Sequence, residues 1–361
     1  MRFLSIKKIA KEAGVSTATV SRVLNNPGYK CSSEELRERI WKIARELNYM
    51  PNEAARNLKK GITDTSQKVW YLDVLMTRTG NLETDPFFSE LLRVIESEIH
   101  RQGCILMHIF HQPLFSNDRK CRTENIDKVI AQMEPDGEIR SDGLIIIGKC
   151  NDNVLKKLSA KYRSIVSVNR NSTNYLVDEV ICDGKRIAAM AVEYLIGLGH
   201  RKIGYVGDCH NESRYKGYQD TLFQYGIDMD ISFVIEAEHT EAEGYAVMER
   251  LIQRGDAPTA IYCANDMIAI GMLKCLNKYK NRYYVPSIIS SDDIEEAQYT
   301  KPMLTTVRLP KEEMGKFALY LLIDRLGGGH KGIVRTELEG KLMIRESCTL
   351  VENANRMEYY I

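Results

Sequence analysis

The sequence predicts an α/β protein: a small N-terminal head of three helices arranged as a helix-turn-helix, then a body of two doubly wound parallel-sheet subdomains. Three observations carry this. The charge is split along the chain, the first fifty residues hold short capped helical stripes, and from Val69 onward apolar runs alternate with helical stripes. With 361 residues, 44% hydrophobic and 27% charged, the chain has material for more than one packed domain. Net charge is only +1, but residues 1–61 carry 13 Lys/Arg against 6 Asp/Glu, leaving 37 against 43 in the rest. A basic head on a mildly acidic body implies that the head binds a polyanion and that the body does something else.

In the head, Ile6, Ile9, Ala10 and Ala13 recur at i, i+3, i+4, i+7 and form one helical face behind a Ser5 cap. Gly14 ends that helix, because glycine tolerates the left-handed exit. Ser16 caps a second helix whose inward face is Val20, Val23 and Leu24, and Asn25 to Gly28 is a run of turn formers. Ser32 to Glu35 reads as a capping box for a third helix striped by Leu36, Ile40, Ala44 and Leu47, which stops before Pro51. A short second helix after a tight glycine turn is the geometry that enters a DNA major groove with its first residues facing base edges. Its outward residues are Ser16, Thr17, Ala18, Thr19, Ser21 and Arg22. Arg22 can bind guanine bidentately, and Thr17 and Ala18 can touch a thymine methyl.

Residues 52–58 are a fair helix former too short to be stable alone, followed by a polar linker. The segment either continues the third helix, stays unstructured, or folds only on DNA.

In the body, strands are expected at Val69–Met76, Ile105–Phe110, Gly143–Ile147, Ser164–Val168, Lys202–Val206, Ala260–Cys263 and Ser287–Ser290. Helices are expected at Phe88–Ile99, Ile126–Met133, Lys185–Leu198, Arg214–Tyr225, Glu241–Arg254, Met267–Asn277 and Lys311–Leu326. Ligands of such sheets sit beyond the carboxyl ends of the strands. The residues there are Asp85 to Phe88, Asn169 to Asn171, Arg214, Asn265 with Asp266, and Asp292 with Asp293. Converging Arg, Asn and Asp suit a polyhydroxylated molecule, since each hydroxyl both donates and accepts. Phe87 or Phe88 can supply a flat apolar wall. Asn and Asp at these junctions also serve as ordinary helix caps.

Two stretches carry a resemblance. SIKKIAKEAGVSTATVSRVLNN with ERIWKIARELNYMPNEAARNLKKG resembles the head of the LacI/GalR family of bacterial transcriptional regulators. YLIGLGHRKIGYVGD, YCANDMIAIGML, SSDDIEEAQYTKPMLTTVR and LMIRES resemble the effector-binding core of the same family, which is similar to periplasmic sugar-binding proteins. The match is close from Val180 to Ser347 and looser over residues 64–170. Ser290 and Ser291 stand where the family has glycine and an aromatic residue, and Ile187 where it has glycine.

The resemblance implies a helix-turn-helix domain at 1–50, a hinge helix and linker at 51–66, an effector-binding and dimerisation domain of two interleaved subdomains at 67–347, and a tail at 348–361. It makes Thr17, Ala18 and Arg22 base-reading positions and places Leu58 between base pairs in the minor groove. Asn25, Tyr49, Asn52 and Ala55 complete the DNA-facing set. The effector set is Phe87, Phe88, Asn169, Asp183, Arg214, Asn265 and Asp292, with Asp183 near a subdomain crossover. The implied protein is a cytoplasmic repressor of carbohydrate-utilisation genes. It binds double-stranded, palindromic operator DNA as a homodimer, responds to a small-molecule effector that is a sugar, and has no membrane partner. A nucleobase or nucleoside effector, or a protein corepressor, is the alternative; a solute-binding protein without DNA function is the alternative from another class. The tail shows no leucine heptad, so a dimer is expected rather than a tetramer.

Other chemistries find little support. The N-terminus is too polar after Leu4 for a signal peptide, and no run of about twenty apolar residues spans a bilayer. The nine cysteines include no CxxC pair, which suits a reducing compartment. His100, Cys104, His108 and His111 are split by Gly103 into a helix and a strand, so no metal site is expected. Gly197 to Gly204 has the wrong spacing for a dinucleotide loop, Gly327 to Gly332 lacks the end of a phosphate-binding loop, and no GxSxG occurs. No cofactor and no enzymatic activity are expected.

Overall fold

The computed structural model describes residues 6–25, 33–46, 69–78, 85–116, 118–133, 140–210, 212–279 and 284–353. The chain divides into two units, Met1–Lys68 and Val69–Ile361. The expected hinge helix and linker at 51–66, and the end of the expected tail, lie outside the described residues.

The first unit contains helices α1 (Ile6–Ala13), α2 (Thr17–Asn25) and α3 (Glu34–Glu46). Ile9, Ala10, Ala13, Val20, Val23 and Ile40 bury against one another, with Val15, Leu36 and Ile43 at the margin. The α1 exit is a tight turn. Gly14 has φ +68°, Val15 N–H donates to Ala10 O at 3.0 Å, and Arg39 of α3 donates to Ala13 O at 3.1 Å. Two carbonyls that helix ends leave unpaired are thereby satisfied. Ser16 Oγ accepts from Thr19 N–H at 3.1 Å, which is the expected cap of α2. The cap of α3 differs from expectation: Ser33 Oγ accepts from Leu36 N–H at 3.2 Å, one residue later than a box opening on Ser32. Either serine suits an N-cap, and the apolar stripe does not distinguish them.

The second unit holds two six-stranded sheets. Their strands are β1 (Tyr71–Met76), β2 (Ile105–His111), β3 (Gly143–Ile147), β4 (Ser164–Asn169), β5 (Asp178–Ile181), β6 (Ile203–Gly207), β7 (Val234–Glu236), β8 (Ala260–Cys263), β9 (Ser287–Asp292), β10 (Thr305–Arg308), β11 (Arg335–Glu337) and β12 (Lys341–Met343). The first sheet runs β11-β5-β4-β3-β1-β2 with every pair parallel. The second runs β12-β10-β9-β8-β6-β7, parallel except where β12 pairs antiparallel with β10. Both sheets are thus doubly wound as expected, with one antiparallel edge that the expectation lacks.

The helices of this unit are α4 (Pro86–Arg101), α5 (Asp118–Thr123), α6 (Ile126–Ala131), α7 (Asp152–Lys161), α8 (Gly184–Gly197), α9 (Ser213–Gln224), α10 (Glu241–Ile252), α11 (Asp266–Tyr279) and α12 (Lys311–Gly327). Alternation along the strands feeds two cores. Val74, Met76, Ile145 and Ile147 point into one with α4 and α12, while Leu75, Leu144 and Ile146 point into the other with α6 and α7. Helices cover both faces, as a parallel sheet requires. The chain passes from the first sheet to the second after β5, returns through α12 and β11, and crosses again into β12, so three crossovers join interleaved subdomains. Among the described residues no helix is long and apolar enough to cross a membrane.

Candidate effector cleft and DNA-reading helix

The carboxyl ends of β1, β3, β4 and β6 converge on a cavity of about 160 Å³. Arg78, Phe88, Ser116, Lys149, Asn169, Arg170, Asn171, Asp208, Glu212 and Arg214 line it. Local backbone makes the mouth. Gly148 ends β3 with φ +103°, and a Cβ there would lie 2.7 Å from Thr77 Oγ1, so only glycine lets this strand end close against the Thr77 turn.

Arg214 opens α9 and is 1% exposed. Its Nε and Nη2 donate to the two carboxylate oxygens of Glu212 at 3.0 and 3.1 Å; Nη1 donates to Ala264 O, and Nη2 also lies 3.1 Å from His239 Nε2. Burial alone would raise the Glu212 carboxyl, but the Arg214 guanidinium overrides it and holds the group down at about 2. Burial, reinforced by Arg78, Arg214 and Arg170, keeps His239 well below its ordinary range, hence neutral.

Arg170 follows β4, and its Nη2 donates to Asp292 at the end of β9. Its guanidinium lies 4.3 Å from the Phe87 ring centroid and 5.8 Å from that of Phe88. Asp292 has φ +129° and Asp293 φ +50°, a conformation that L-residues rarely adopt. Three cations hold the second: Arg308 Nε and Arg345 Nη2 each bond its carboxylate at 2.5 Å, and Lys311 Nζ its carbonyl at 3.1 Å. Behind them Asp266 accepts from Ser290 Oγ and Thr306 Oγ1, both at 2.6 Å, and from Ile294 N–H at 2.9 Å. Burial, and then the Asp292 charge, push Asp266 up to about 7; the same two causes push Asp85 up to about 6.

Of the expected effector residues, Phe88, Asn169 and Arg214 line the cavity. Phe87 and Asp292 stand behind it, both against Arg170. Asp183 does not line it: its carboxylate caps α8 by accepting from Lys185 N–H at 2.9 Å. Asn265 is committed to local bonds, donating to His239 O at 3.3 Å and accepting from Ile268 N–H at 3.1 Å. Arg78 and Lys149 were reachable by the same rule that flagged the others, since each lies two residues past a strand end. Glu212 was reachable too, as the acid two residues before Arg214.

On the head, Ser16, Thr17 and Arg22 are exposed, and Thr19 is half-buried with its hydroxyl 3.0 Å from that of Ser16. Ala18, Ser21 and Asn25 lie on α2, but their side chains, like Tyr49, Asn52, Ala55 and Leu58 altogether, are outside the described residues.

Comparison with known proteins bears on both units. The family described as "Bacterial regulatory proteins, lacI family" matches residues 5–52, and that described as "Periplasmic binding protein-like domain" matches residues 192–348. The HTH-type transcriptional repressor MelR of Bacillus subtilis (strain 168) is 31% identical over 357 residues, covering 95% of this chain and 97% of that one. The chain belongs to the LacI family of bacterial regulatory proteins. Two solved LacI-type structures share its fold. The transcriptional regulator CelR in complex with cellobiose superposes with TM-score 0.65 at 22% identity, covering 96% of this chain and 100% of that one. The lac repressor dimer bound to operator and the anti-inducer ONPF superposes with TM-score 0.63 at 22% identity, again covering 96% and 100%.

Proposed function

We propose that this LacI-family chain is a transcriptional repressor that binds a palindromic operator as a homodimer and is controlled by a small molecule, a carbohydrate, in the cleft between its subdomains. The observation that carries the reading is the joining of two parts in one chain: a capped α2 with exposed Thr17 and Arg22, and a cleft whose walls come from both sheets. Donors and acceptors around Arg214, Asn169, Asn171 and Glu212 suit hydroxyls. The cellobiose complex of CelR and the repressor name of MelR support the same reading.

In this reading Thr17, Ala18 and Arg22 face base edges, with Ser16, Thr19, Ser21, Asn25, Tyr49, Asn52, Ala55 and the hinge residue Leu58 completing the contact. Phe87, Phe88, Asn169, Arg214, Asn265 and Asp292 form or back the effector site, and Asp183 acts through the crossover it caps. The homodimer is supported by a groove of about 720 Å³ along α11, lined by Met267, Ile270, Leu273 and the 75%-exposed Tyr299, and by the dimeric state of the lac repressor.

A thermal-shift series of the full-length chain against monosaccharides, disaccharides and nucleobases tests the effector, because a ligand of the native state raises the melting temperature by mass action. The stabilising compound then has to change affinity for operator DNA. A nucleobase that stabilises where no sugar does replaces the carbohydrate by the alternative. A stabilising ligand without effect on DNA binding overturns the regulatory reading.

A further inference from the structure

The charge inventory of the cleft says more about its ligand than the general suitability for hydroxyls. Four cations line the cavity, Arg78, Lys149, Arg170 and Arg214, against two acids, Asp208 and Glu212. Glu212 has both oxygens bound by Arg214, and Arg170 is paired with Asp292 behind the wall. Asp208 accepts from its neighbour His210 N–H at 2.7 Å. Arg78 forms no ion pair or hydrogen bond with the described residues, although it lies two residues past the end of β1 on the wall of the cavity. Desolvation and the neighbouring Arg214 outweigh the favourable pull of Glu212 and Asp85, which act on its charge only from beyond ion-pair distance, and a partner that brings negative charge to the guanidinium itself would offset that cost. A neutral sugar would leave Arg78 without a direct ion-pair partner among the described residues.

We propose that the effector carries a carboxylate or phosphate group that binds Arg78 in a bidentate fork, with Arg170, Arg214 and Lys149 adding positive charge around it. The proposal rests on reading the cleft as the effector site. It makes the ligand a sugar acid or a sugar phosphate, with the remaining hydroxyls directed to Asn169, Asn171 and Asp208.

The test compares the full-length protein with Arg78→Gln and Arg78→Lys. D-gluconate, D-glucuronate, D-glucose 6-phosphate and inorganic phosphate form the charged arm; D-glucose, cellobiose and adenine form the neutral arm. Calorimetry and thermal shift read binding, and operator affinity of the unliganded wild type is measured first, because it bears on the regulatory reading alone. The expected result is that a charged member stabilises the wild type while its neutral counterpart does not. Arg78→Gln should weaken that member about ten- to hundredfold, and Arg78→Lys less. Without any added compound, Arg78→Gln should melt at or above the wild-type temperature, since desolvation and the neighbouring arginines outweigh the acids that favour this cation. Carboxylates as ligands with phosphates inactive identify a sugar acid; the converse identifies a sugar phosphate. Three outcomes overturn the proposal: a neutral member that binds wild type and Arg78→Gln alike, a charged arm that binds nothing, or an unliganded Arg78→Gln that melts well below wild type, which would make Arg78 part of the scaffold. In the first, the cleft remains an effector site.

Discussion

Replacing Arg214 by methionine tests the electrostatic centre of the cleft. Methionine keeps an unbranched apolar stem and the backbone N–H that Glu212 Oε1 accepts at 3.3 Å, but removes every guanidinium donor that faces Glu212, Ala264 O and His239. Glu212 is 7% exposed, so its charge would be left in a poorly hydrated site. Its fall from 4.5 to about 2 corresponds, at about 1.4 kcal/mol per unit, to about 3 kcal/mol of stabilisation near neutral pH. Breaking a buried pair by removing one partner costs about 3–5 kcal/mol, so the two routes agree. The sign follows from the direction of the shift. In the wild type a depressed carboxyl stabilises the fold above its unfolded value and loses that contribution as pH falls towards 2. In the variant burial raises the same carboxyl, so the penalty is present at neutral pH and fades on acidification. Urea unfolding of the full-length protein on a Trp41→Phe background, so that fluorescence reports only Trp70 in the body core, should therefore show a deficit of about 3 kcal/mol at about pH 8. That deficit should narrow towards about pH 5, and Glu212→Gln on the same background should recover part of it. A variant as stable as wild type, or a deficit that does not change with pH, would refute the reasoning.

Four further outcomes are expected. Gly14→Ala places a Cβ on a left-handed residue and should cost about 1–2 kcal/mol of head stability, seen as weaker operator binding with Trp70-reported unfolding unchanged. Burial raises Asp266 to about 7, above its unfolded 3.8, so the folded body binds this proton more tightly and should gain stability as pH falls from about 8 to about 5; Asp266→Asn should reduce that gain in thermal melts, leaving the part that Asp85, raised to about 6, supplies. Leu58→Ala should weaken operator binding strongly while leaving body unfolding intact, and unchanged affinity in a gel-shift titration would remove the hinge residue from the DNA contact. Operator affinity should fall steeply with salt through counterion release, and a salt-insensitive constant would contradict a phosphate-contacting head.

The parts of the fold that the sequence revealed are those whose pattern is local. β3 and β8 begin and end where expected, because each is an apolar run bounded by polar turn residues. β5, β7, β10, β11 and β12 were not foreseen. β5 reads Asp-Glu-Val-Ile, an unpromising core strand, yet Asp178 and Glu179 are buried. Arg325, His330 and Val334 N–H satisfy the first from about 150 residues away in sequence, and Ser172 and Thr173 satisfy the second. The two buried threonine hydroxyls of β10 are likewise satisfied from afar, Thr306 donating to Asp266 and Thr305 accepting from Arg345 N–H. No window of local periodicity contains such partners. The omission of α7 has no such reason: Asn151 caps it, and Val154, Leu155 and Leu158 form a plain buried stripe. α5 is six residues long and gives too few turns for a period to show. In the site, strand ends pointed to Arg214, Asn169 and Phe88. What stayed hidden was apportionment, above all that Arg170 pairs with Asp292, because that pairing crosses between the sheets.

That apportionment bears on how a ligand could act at a distance. Arg170 from the end of β4 bonds Asp292 at the end of β9, so one ion pair spans the two sheets beside the cavity. Asn171 Oδ1 accepts from Ser213 N–H at 3.1 Å, tying the same loop to α9. Lys311, at the second crossover, holds Glu90 of α4 at 2.5 Å and Asp293 O at 3.1 Å, so it too joins both subdomains. The cleft is thus bridged by protein groups of the very kinds that a polar ligand would use. A ligand reaching Arg170 or Arg214 competes with Asp292 or Glu212 for the same donors, and the outcome depends on which subdomain arrangement satisfies all of them together. Ligand binding shifts that arrangement only by its difference in affinity for the alternatives, and a coupling of about 1–3 kcal/mol corresponds to a change of roughly 5- to 150-fold in operator affinity. Exchanging one buried charge pair for another is a change of that size. Among the described residues Phe88 alone offers the ligand an apolar surface in this wall, carrying no charge to redistribute, so affinity can come from that ring while control comes from the charges.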